Sequence, residues 1–597
     1  MIKERIAALR ELMVEHGIQV YLIPSTDPHQ SEYVPEMWER RKWISGFTGS
    51  AGELAVSLKN AGLWTDSRYF LQAEKELEGS GIELFKSGLP DVPTLQDWLK
   101  QELNSDDAVG IDPRVFSYRE VQKLESFLQT WKINLKTIET NLVDEIWNDQ
   151  PAFPSGPVRP WEVLFSGETV ESKLNRLREK MVSENADAHV LSSLDAIAWL
   201  FNIRGNDVEY NPVVISYAII TLDSARLYTG LNKIAPGVKS HLAGLVDIFD
   251  YDEFKDGLLW LRKNKSRVWL DPATVSRWIV DVLGNECEAL FKESPVTLFK
   301  AMKNETEIQG MKNAHIRDGV AMVKFLHWLE NAVPRGEVSE VSAAEKAEKF
   351  RKQQPLFQGL SFETISAYGE HGAIVHYTAS QESDVRLKPN GIFLFDSGAQ
   401  YLDGTTDITR TIALGTPTAE QKDRFTRVLK GMISLSMTRF PRNTAGNQLD
   451  TIARKPLWDI ALNYGHGTGH GVGCFLNVHE GPQGISYYRG IGVPMELGMV
   501  TSNEPGYYKT GEYGIRTENL MVTVADEETS GGEFEFYKFE TLTLCPIDLN
   551  LIDANLLSEA EISFLNQYHR RVRETLSPFL DEAEKKWLAE KTRPVAN

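Results

Sequence analysis

The 597-residue sequence predicts a mixed α/β and α+β architecture: two α/β domains in the N-terminal half, then an α+β domain that carries the chemistry. Three observations lead there. A helix-then-strand order occurs twice, a proline-rich seam separates the two copies, and beyond about residue 300 strand-like runs rich in Gly and aromatic residues alternate with helices.

Ile2, Ile6, Leu9 and Met13 step by four, three and four, as do Val170, Leu174, Leu177 and Met181, so each set forms one apolar helix stripe. A short apolar strand follows each, Gln19 to Ile23 and His189 to Leu191. Then come Trp43 to Phe47 and Trp199 to Ile203, with further strand-like segments at Leu54 to Val56 and Val213 to Ile215. This order is a weak internal repeat, although any two α/β domains share such an order. Between the copies, Pro151, Pro154, Pro157 and Pro160 forbid regular helix or central strand. A softer seam lies at Ser294-Pro295, after which Glu305 opens a helical pattern to about Leu329. The expected domains are therefore 1-155, 156-300 and 301-597. A helix over Ala419 to Met437 and helical sequence from Glu559 to Leu588 complete the third.

With 64 Lys+Arg against 84 Asp+Glu, the net charge of -20 repels phosphate backbones and anionic membrane surfaces, so nucleic acid is not an expected partner. No apolar run approaches the roughly 18 residues that span a bilayer, and the N-terminus lacks the unbroken apolar stretch of a secretory signal. Three distant cysteines fit free thiols in a reducing compartment, which makes the cytoplasm the expected location.

Of 12 histidines, five fall between His371 and His479, a concentration that points to metal or proton-transfer chemistry. Four segments supply the groups. In Ile392 to Thr411 an apolar strand runs into Asp396, Asp403-Gly404 turns the chain, and Asp407 follows on the return, so a hairpin sets two carboxylates side by side. Two anions in so apolar a setting repel unless a cation lies between them. Tyr464 to Gly473 carries His466 and His470 among five alternating glycines, which favours extended or looped backbone over helix and leaves one face bare for close approach. Glu504 precedes Pro505 and is pushed towards extended geometry. Glu518 opens an apolar run that reads as a buried strand, with Arg516 on the same face by period two. A plain Arg516–Glu518 salt bridge is the ordinary alternative. Four carboxylates and one imidazole make a hard, oxygen-rich donor set; it favours manganese, with cobalt, iron or zinc as substitutes, and some carboxylates must bridge if two ions bind.

Asp396, Asp407, His470, Glu504 and Glu518, in that order, resemble the five ligands of the pita-bread metallopeptidases, the family of methionine aminopeptidase, prolidase, creatinase and aminopeptidase P. Five strings resemble the long, three-domain, cytosolic type of aminopeptidase P: Leu22-Ile-Pro-Ser-Thr-Asp-Pro-His-Gln-Ser-Glu-Tyr33, Ser45-Gly-Phe-Thr-Gly-Ser-Ala-Gly52, Trp64-Thr-Asp-Ser-Arg-Tyr-Phe70, Gly372-Ala-Ile-Val-His-Tyr377 and Asn477-Val-His-Glu-Gly-Pro482. The resemblance implies two creatinase-like N-terminal domains and a pita-bread catalytic domain with a C-terminal extension. It also implies two Mn2+ ions per subunit, Asp407 and Glu518 bridging them, Asp396 on one, and His470 and Glu504 on the other.

The implied reaction removes the N-terminal residue from peptides whose second residue is proline. A water shared by two cations becomes a hydroxide near neutral pH, and Glu504 accepts its proton. By the same resemblance His376, His466 and His479 orient substrate and stabilise the oxyanion, Arg68 contributes to the substrate entrance, and the chain forms a homodimer; Arg516, on the Glu518 face, is expected to orient that carboxylate. Two rivals stand beside this reading. Prolidase shares the ligands but cleaves only dipeptides and usually has a shorter, two-domain layout, and a pita-bread binding protein that had lost its chemistry should lack a ligand.

Overall fold

The computed structural model describes residues 1–488, 491–529 and 531–596. They form two compact units, one of Met1–Trp161 with Glu168–Val296, the other of Glu162–Gly167 with Thr297 onward.

The first unit contains two six-stranded sheets of the same topology. The strands of the first are Val20–Ile23, Glu53–Ser57, Ala61–Thr65, Glu83–Lys86, Ala108–Ile111 and Asn134–Thr137. Those of the second are Ala188–Leu191, Ser216–Thr221, Ala225–Thr229, Asp247–Phe249, Arg267–Leu270 and Glu288–Phe291. Numbered along the chain, each set lies in the order 4-3-2-1-5-6. The 1–2 and 2–3 pairs are antiparallel and the other three parallel in both sheets. The repeat read from the apolar stripes is therefore a repeat of whole sheets. The stripes themselves behave as the spacing requires: Ile6, Leu9 and Met13 on helix Ile2–Glu15, and Val170, Leu174, Leu177 and Met181 on helix Val170–Ser183, are buried.

Two local readings shift. Val213 to Ile215 lies outside the ladder, which starts at Ser216, and the Ile215 amide donates instead to Asp207 Oδ2 (2.7 Å). In the proline seam Val158 bridges Ile234 and Arg159–Pro160 pairs with Ile203–Arg204, an edge contact that proline tolerates.

The second unit is built on helix Glu305–Ala332, whose Asn304 side chain caps the Glu307 amide while the Glu307 carboxylate returns to the Asn304 amide. A three-stranded antiparallel sheet sets Ile392–Ser397 between Ile365–Tyr368 and Ile408–Ala413. A six-stranded sheet orders Arg439–Pro441, Phe536–Thr541, Asn519–Ala525, Val500–Asn503, Gly469–Gly471 and Glu480–Ile485. Helix Ala419–Ser436 buries Phe425, Val428, Leu429, Met432 and Ile433 in a core shared with Leu565, Val572 and Leu576 of helix Glu559–Leu576. The stretch from Glu559 is two helices, Glu559–Leu576 and Glu582–Lys591, because Pro578 cannot continue the first. Among the described residues no helix is long and apolar enough to cross a membrane.

Candidate metal centre

The buried Phe393-Leu394-Phe395 run delivers Asp396 opposite Thr409, and Asp407 immediately precedes the returning strand. The hairpin thus brings both carboxylates to one end of the sheet. Glu504 and Glu518 occupy a matching pair of breaks. Glu504-Pro505 separates strands Val500–Asn503 and Gly506–Lys509, and Thr517-Glu518 separates Tyr513–Arg516 from Asn519–Ala525. At these breaks the chain leaves one hairpin (Gly506 paired with Arg516) for the large sheet (Asn503 paired with Asn519). The single strand expected through Glu518 is therefore two strands. The break has its own hydrogen bonds, from the Glu518 amide to the Thr409 carbonyl (3.2 Å) and from the Glu504 amide to the Thr468 carbonyl (2.7 Å).

The glycines around His470 serve the sheet. His470 lies on Gly469–Gly471, extended as the alternation requires. A Cβ at Gly469 would stand 2.0 Å from the Ser502 carbonyl oxygen, and one at Gly471 2.1 Å from that of Glu480. What approaches the bare face is the neighbouring backbone. The imidazole then points its Nε2 at Asp407 Oδ2 (3.4 Å) and Glu504 Oε1 (3.5 Å), while Nδ1 lies 2.9 Å from the Gly471 carbonyl. Since a carbonyl only accepts, Nδ1 carries the proton and Nε2 presents a lone pair.

Four carboxylates share this space, and the consequence is electrostatic. Burial, and then repulsion from Asp396, push Asp407 up to about 8. Burial raises Glu504 to about 6, with His470 and Arg516 opposing and Asp407 and Asp396 adding to the rise. Glu518 is raised well above the carboxylate range by burial and by Asp407, Glu504 and Asp396. Asp396 Oδ1 and Glu518 Oε1 are buried with no hydrogen-bond partner among the described residues. Ligand atoms of Asp407, His470 and Glu518 lie within 4.8 Å of one another. Orphaned buried oxygens and mutually repelling carboxylates are costly as they stand. Divalent cations cancel both costs, so the residues present fit such ions.

Arg516 does not reach Glu518 as a same-face partner. Its Nη2 donates to Asp396 Oδ2 (2.6 Å), its Nε to Thr409 Oγ1 (3.2 Å) and its Nη1 to Tyr508 Oη (2.6 Å). Thr409 Oγ1 in turn donates to Glu518 Oε2 (2.7 Å), so the hydroxyl passes the arginine's influence on to that carboxylate. The chain continues to His466, whose Nε2 lies 2.8 Å from Tyr508 Oη and whose Nδ1 lies 2.7 Å from the Gly467 carbonyl. His479 stands edge to face against His470, with centroids 4.3 Å apart. The next residue, Glu480, is held by the buried Lys300 (3.1 Å) and Lys303. His376 lies half-buried in the turn after Gly369–Ala373. That turn is pinned on both sides by the buried Glu340 carboxylate, which accepts from the Tyr368 amide (2.7 Å) and Tyr377 Oη (2.9 Å) and meets His371 Nδ1 (2.9 Å). Arg68 belongs to the first unit, where its guanidinium forks onto Asp66 at 2.8 and 2.7 Å.

Sequence reasoning missed Tyr508, Thr409 and the Asp450–Arg454 pair. The last is fully buried on helix Gly446–Trp458 and organises the His-Gly segment. Arg454 donates to the carbonyls of Tyr464 (2.8 Å) and His466 (2.7 Å), and Asp450 accepts from Thr468 Oγ1 (2.7 Å). The available signal was an Asp and an Arg four apart on an otherwise apolar helix face just before the histidines. Asp450→Asn strips a buried guanidinium of its counter-charge and is expected to destabilise the fold by about 3 kcal/mol or more, read by urea unfolding. A loss under 1 kcal/mol, roughly that of an exposed pair, would show that Arg454 does not depend on Asp450.

Comparison with known proteins places the chain in a family. Residues 309–525 match the profile of metallopeptidase family M24, and 535–595 match that of its C-terminal region. Residues 5–141 and 149–307 each match a creatinase/prolidase N-terminal domain. Aminopeptidase P2 of Arabidopsis thaliana is 42% identical over 100% of this chain and 89% of its own length. Xaa-Pro aminopeptidase 1 of Dictyostelium discoideum is 42% identical, covering 100% and 97%. The crystal structure of X-prolyl aminopeptidase from Caenorhabditis elegans, described as a cytosolic enzyme with a di-nuclear active site, superposes with a TM-score of 0.96 at 38% identity over the whole of both chains. An Xaa-Pro dipeptidase from Bacillus anthracis, 23% identical with a TM-score of 0.52, shares the fold over 64% of this chain and 99% of its own.

Proposed function

We propose, for a chain that belongs to the Xaa-Pro aminopeptidases of metallopeptidase family M24, that Asp396, Asp407, His470, Glu504 and Glu518 hold two divalent ions with which it removes the N-terminal residue from peptides bearing proline second. The observation that carries the reading is the cluster of four carboxylates and one imidazole, with Asp396, Asp407 and Glu518 buried and two oxygens orphaned. As the family resemblance implies, Asp407 and Glu518 would serve both ions, Asp396 one of them, and His470 and Glu504 the other. Manganese is the resident ion on this reading, the enzyme is cytoplasmic and dimeric, and the domain limits fall near residues 155 and 300.

Such ions, when bound, would supply an acidified water as nucleophile at neutral pH and polarise the scissile carbonyl. The chain's own residues do the rest. Glu504, 19% of whose side chain stays open, takes the nucleophile's proton and returns it to the leaving prolyl nitrogen. Ser502 Oγ donates to its Oε1 (3.2 Å) and steadies it. His376, His466 and His479 orient the substrate, and His376 and His479 donate to the oxyanion, since both ring nitrogens of His466 are engaged by the Gly467 carbonyl and Tyr508. His466 is held in place by Tyr508, and Arg516 pairs with Asp396 and aims it. Proline offers no amide N–H beyond the scissile bond, so a site for it must grip by ring shape and by the charge of the free N-terminus.

The test is a comparison of substrates. With manganese, the purified protein is expected to release arginine from Arg-Pro-Pro tripeptides and to lose that activity on chelation. Efficient cleavage of Xaa-Pro dipeptides with intact tripeptides would make it a dipeptidase.

Conservative change at Arg516 gives a separable prediction. Lysine keeps the charge but not the fork that joins Asp396, Thr409 and Tyr508. Arg516→Lys is expected to cut kcat/KM by about 10- to 100-fold, the range for losing a group that orients a metal ligand. Wild-type kinetics would show that the fork does not matter.

A further inference from the structure

Four arginines of the second unit, Arg351, Arg410, Arg454 and Arg516, are no more than 2% exposed, and each donates to a residue of the metal centre or its chain neighbour. Three of them face a carboxylate: Asp318 for Arg351, Asp450 for Arg454, Asp396 for Arg516. Arg410 is different. Its acceptors are the carbonyls of Thr409 (2.9 Å), Glu518 (2.6 Å), Cys545 (3.0 Å) and Pro546 (3.1 Å), the Asn519 amide oxygen (2.8 Å) and the Tyr568 hydroxyl (3.0 Å). All six are neutral. They engage Nε, Nη1 and Nη2 alike, as a guanidinium buried at this depth demands.

The six acceptors come from two places. Thr409, Glu518 and Asn519 belong to the segments that carry the candidate ligands, whereas Cys545, Pro546 and Tyr568 belong to the C-terminal region matched at 535–595. Tyr568, on helix Glu559–Leu576, also grips the Cys545 peptide from both ends: its Oη accepts from the Cys545 amide (3.2 Å) and lies 2.9 Å from the Cys545 carbonyl. On the other side, Arg410 fixes the Glu518 carbonyl while its chain neighbour Thr409 fixes Glu518 Oε2, so adjacent residues on one strand hold Glu518 by backbone and by side chain.

We infer that the C-terminal region is a working part of the metal centre, with Tyr568 a positioning residue for Glu518 that acts through Arg410. Without the Tyr568 hydroxyl, the guanidinium loses an acceptor on the side away from Glu518 and is free to shift, and the Glu518 peptide shifts with it. This role rests on Glu518 being a metal ligand, as proposed above.

The experiment titrates Mn2+ into metal-free full-length protein, wild type and Tyr568→Phe, by calorimetry at fixed pH, with thermal unfolding read in parallel. Tyr568→Phe is expected to bind manganese about 10-fold more weakly, the lower end of what loss of an outer positioning contact costs, and to recover hydrolysis at saturating manganese. Arg410→Lys is expected to weaken binding further, by up to about 100-fold. Manganese affinity within twofold of wild type in Tyr568→Phe overturns the inference, whatever happens to the melting temperature, since a purely structural contact moves only the latter. If Arg410→Lys does not fold, Tyr568→Phe decides alone. Glu518→Gln serves as the control. Reduced manganese uptake there with wild-type affinity in Tyr568→Phe overturns the positioning role only, whereas unchanged uptake in Glu518→Gln removes Glu518 from the site and the positioning role with it.

Discussion

Replacing Glu504 by Gln is expected to lower kcat on an Arg-Pro-Pro tripeptide by about 100-fold or more while leaving one or both ions bound. The amide keeps an oxygen towards His470 and the same shape beside Ser502, so positioning is largely retained. What it lacks is the ability to carry a proton. In the metal-free chain burial raises the Glu504 carboxyl to about 6, and a bound cation would draw it down again, leaving a carboxylate free to accept a proton from an acidified water. Its partly open side chain is the other requirement, because a sealed carboxylate cannot reach the leaving nitrogen. The measurement is steady-state hydrolysis with metal content determined on the same sample. Near-normal turnover at full occupancy would take Glu504 out of proton transfer.

Asp407→Asn is expected to be the most damaging single change at the site. Asp407 lies within reach of His470 Nε2 and is the carboxylate that Asp396 and His479 both act on, so it stands at the centre of the cluster. Loss of its charge removes an oxygen anion from both proposed ion sites. If the ions supply several kcal/mol of transition-state stabilisation, activity should fall by about 1,000-fold, and bound metal should fall with it.

The metal-free form carries its own signature. In the folded, metal-free chain Asp407 holds its proton to about pH 8, well above its unfolded value, so proton binding favours the fold. That stabilisation is complete below the unfolded value near 4 and is lost as pH rises through about 8. Metal-free protein should therefore melt at a lower temperature at pH 8 than at pH 5.5, and metal uptake at pH 7 should release protons. Calorimetric titration in two buffers of different ionisation enthalpy reads that release directly. Identical apparent enthalpies in both would show that no proton leaves.

Much of this site could be read from local sequence, because the features that build it are short-range. An apolar run ending in Asp396, a proline locking the residue before it, and glycine at every second position each constrain the backbone within a few residues. The two N-terminal sheets were legible for the same reason, since buried helix stripes and short strands recur in order. Contacts spanning more than a hundred residues left no such trace. Arg516 to Asp396, Arg410 to Tyr568 and Lys303 to Glu480 join residues 120, 158 and 177 positions apart. Period two placed Arg516 beside Glu518, but the strand break at Thr517-Glu518 voids that periodicity and turns the arginine to Asp396 instead. The segment 162–167, which packs with the second unit although it interrupts the first, is likewise a matter of tertiary partners.

The number of metal ions bound per chain is the decisive quantity. Metal-free wild-type protein titrated with manganese, desalted and analysed for bound metal, with tripeptide hydrolysis assayed at each point, should bind two equivalents per chain and gain activity as they bind. Full tripeptide hydrolysis by protein that carries no metal, or uptake that stays at two equivalents after Asp407→Asn, would contradict it.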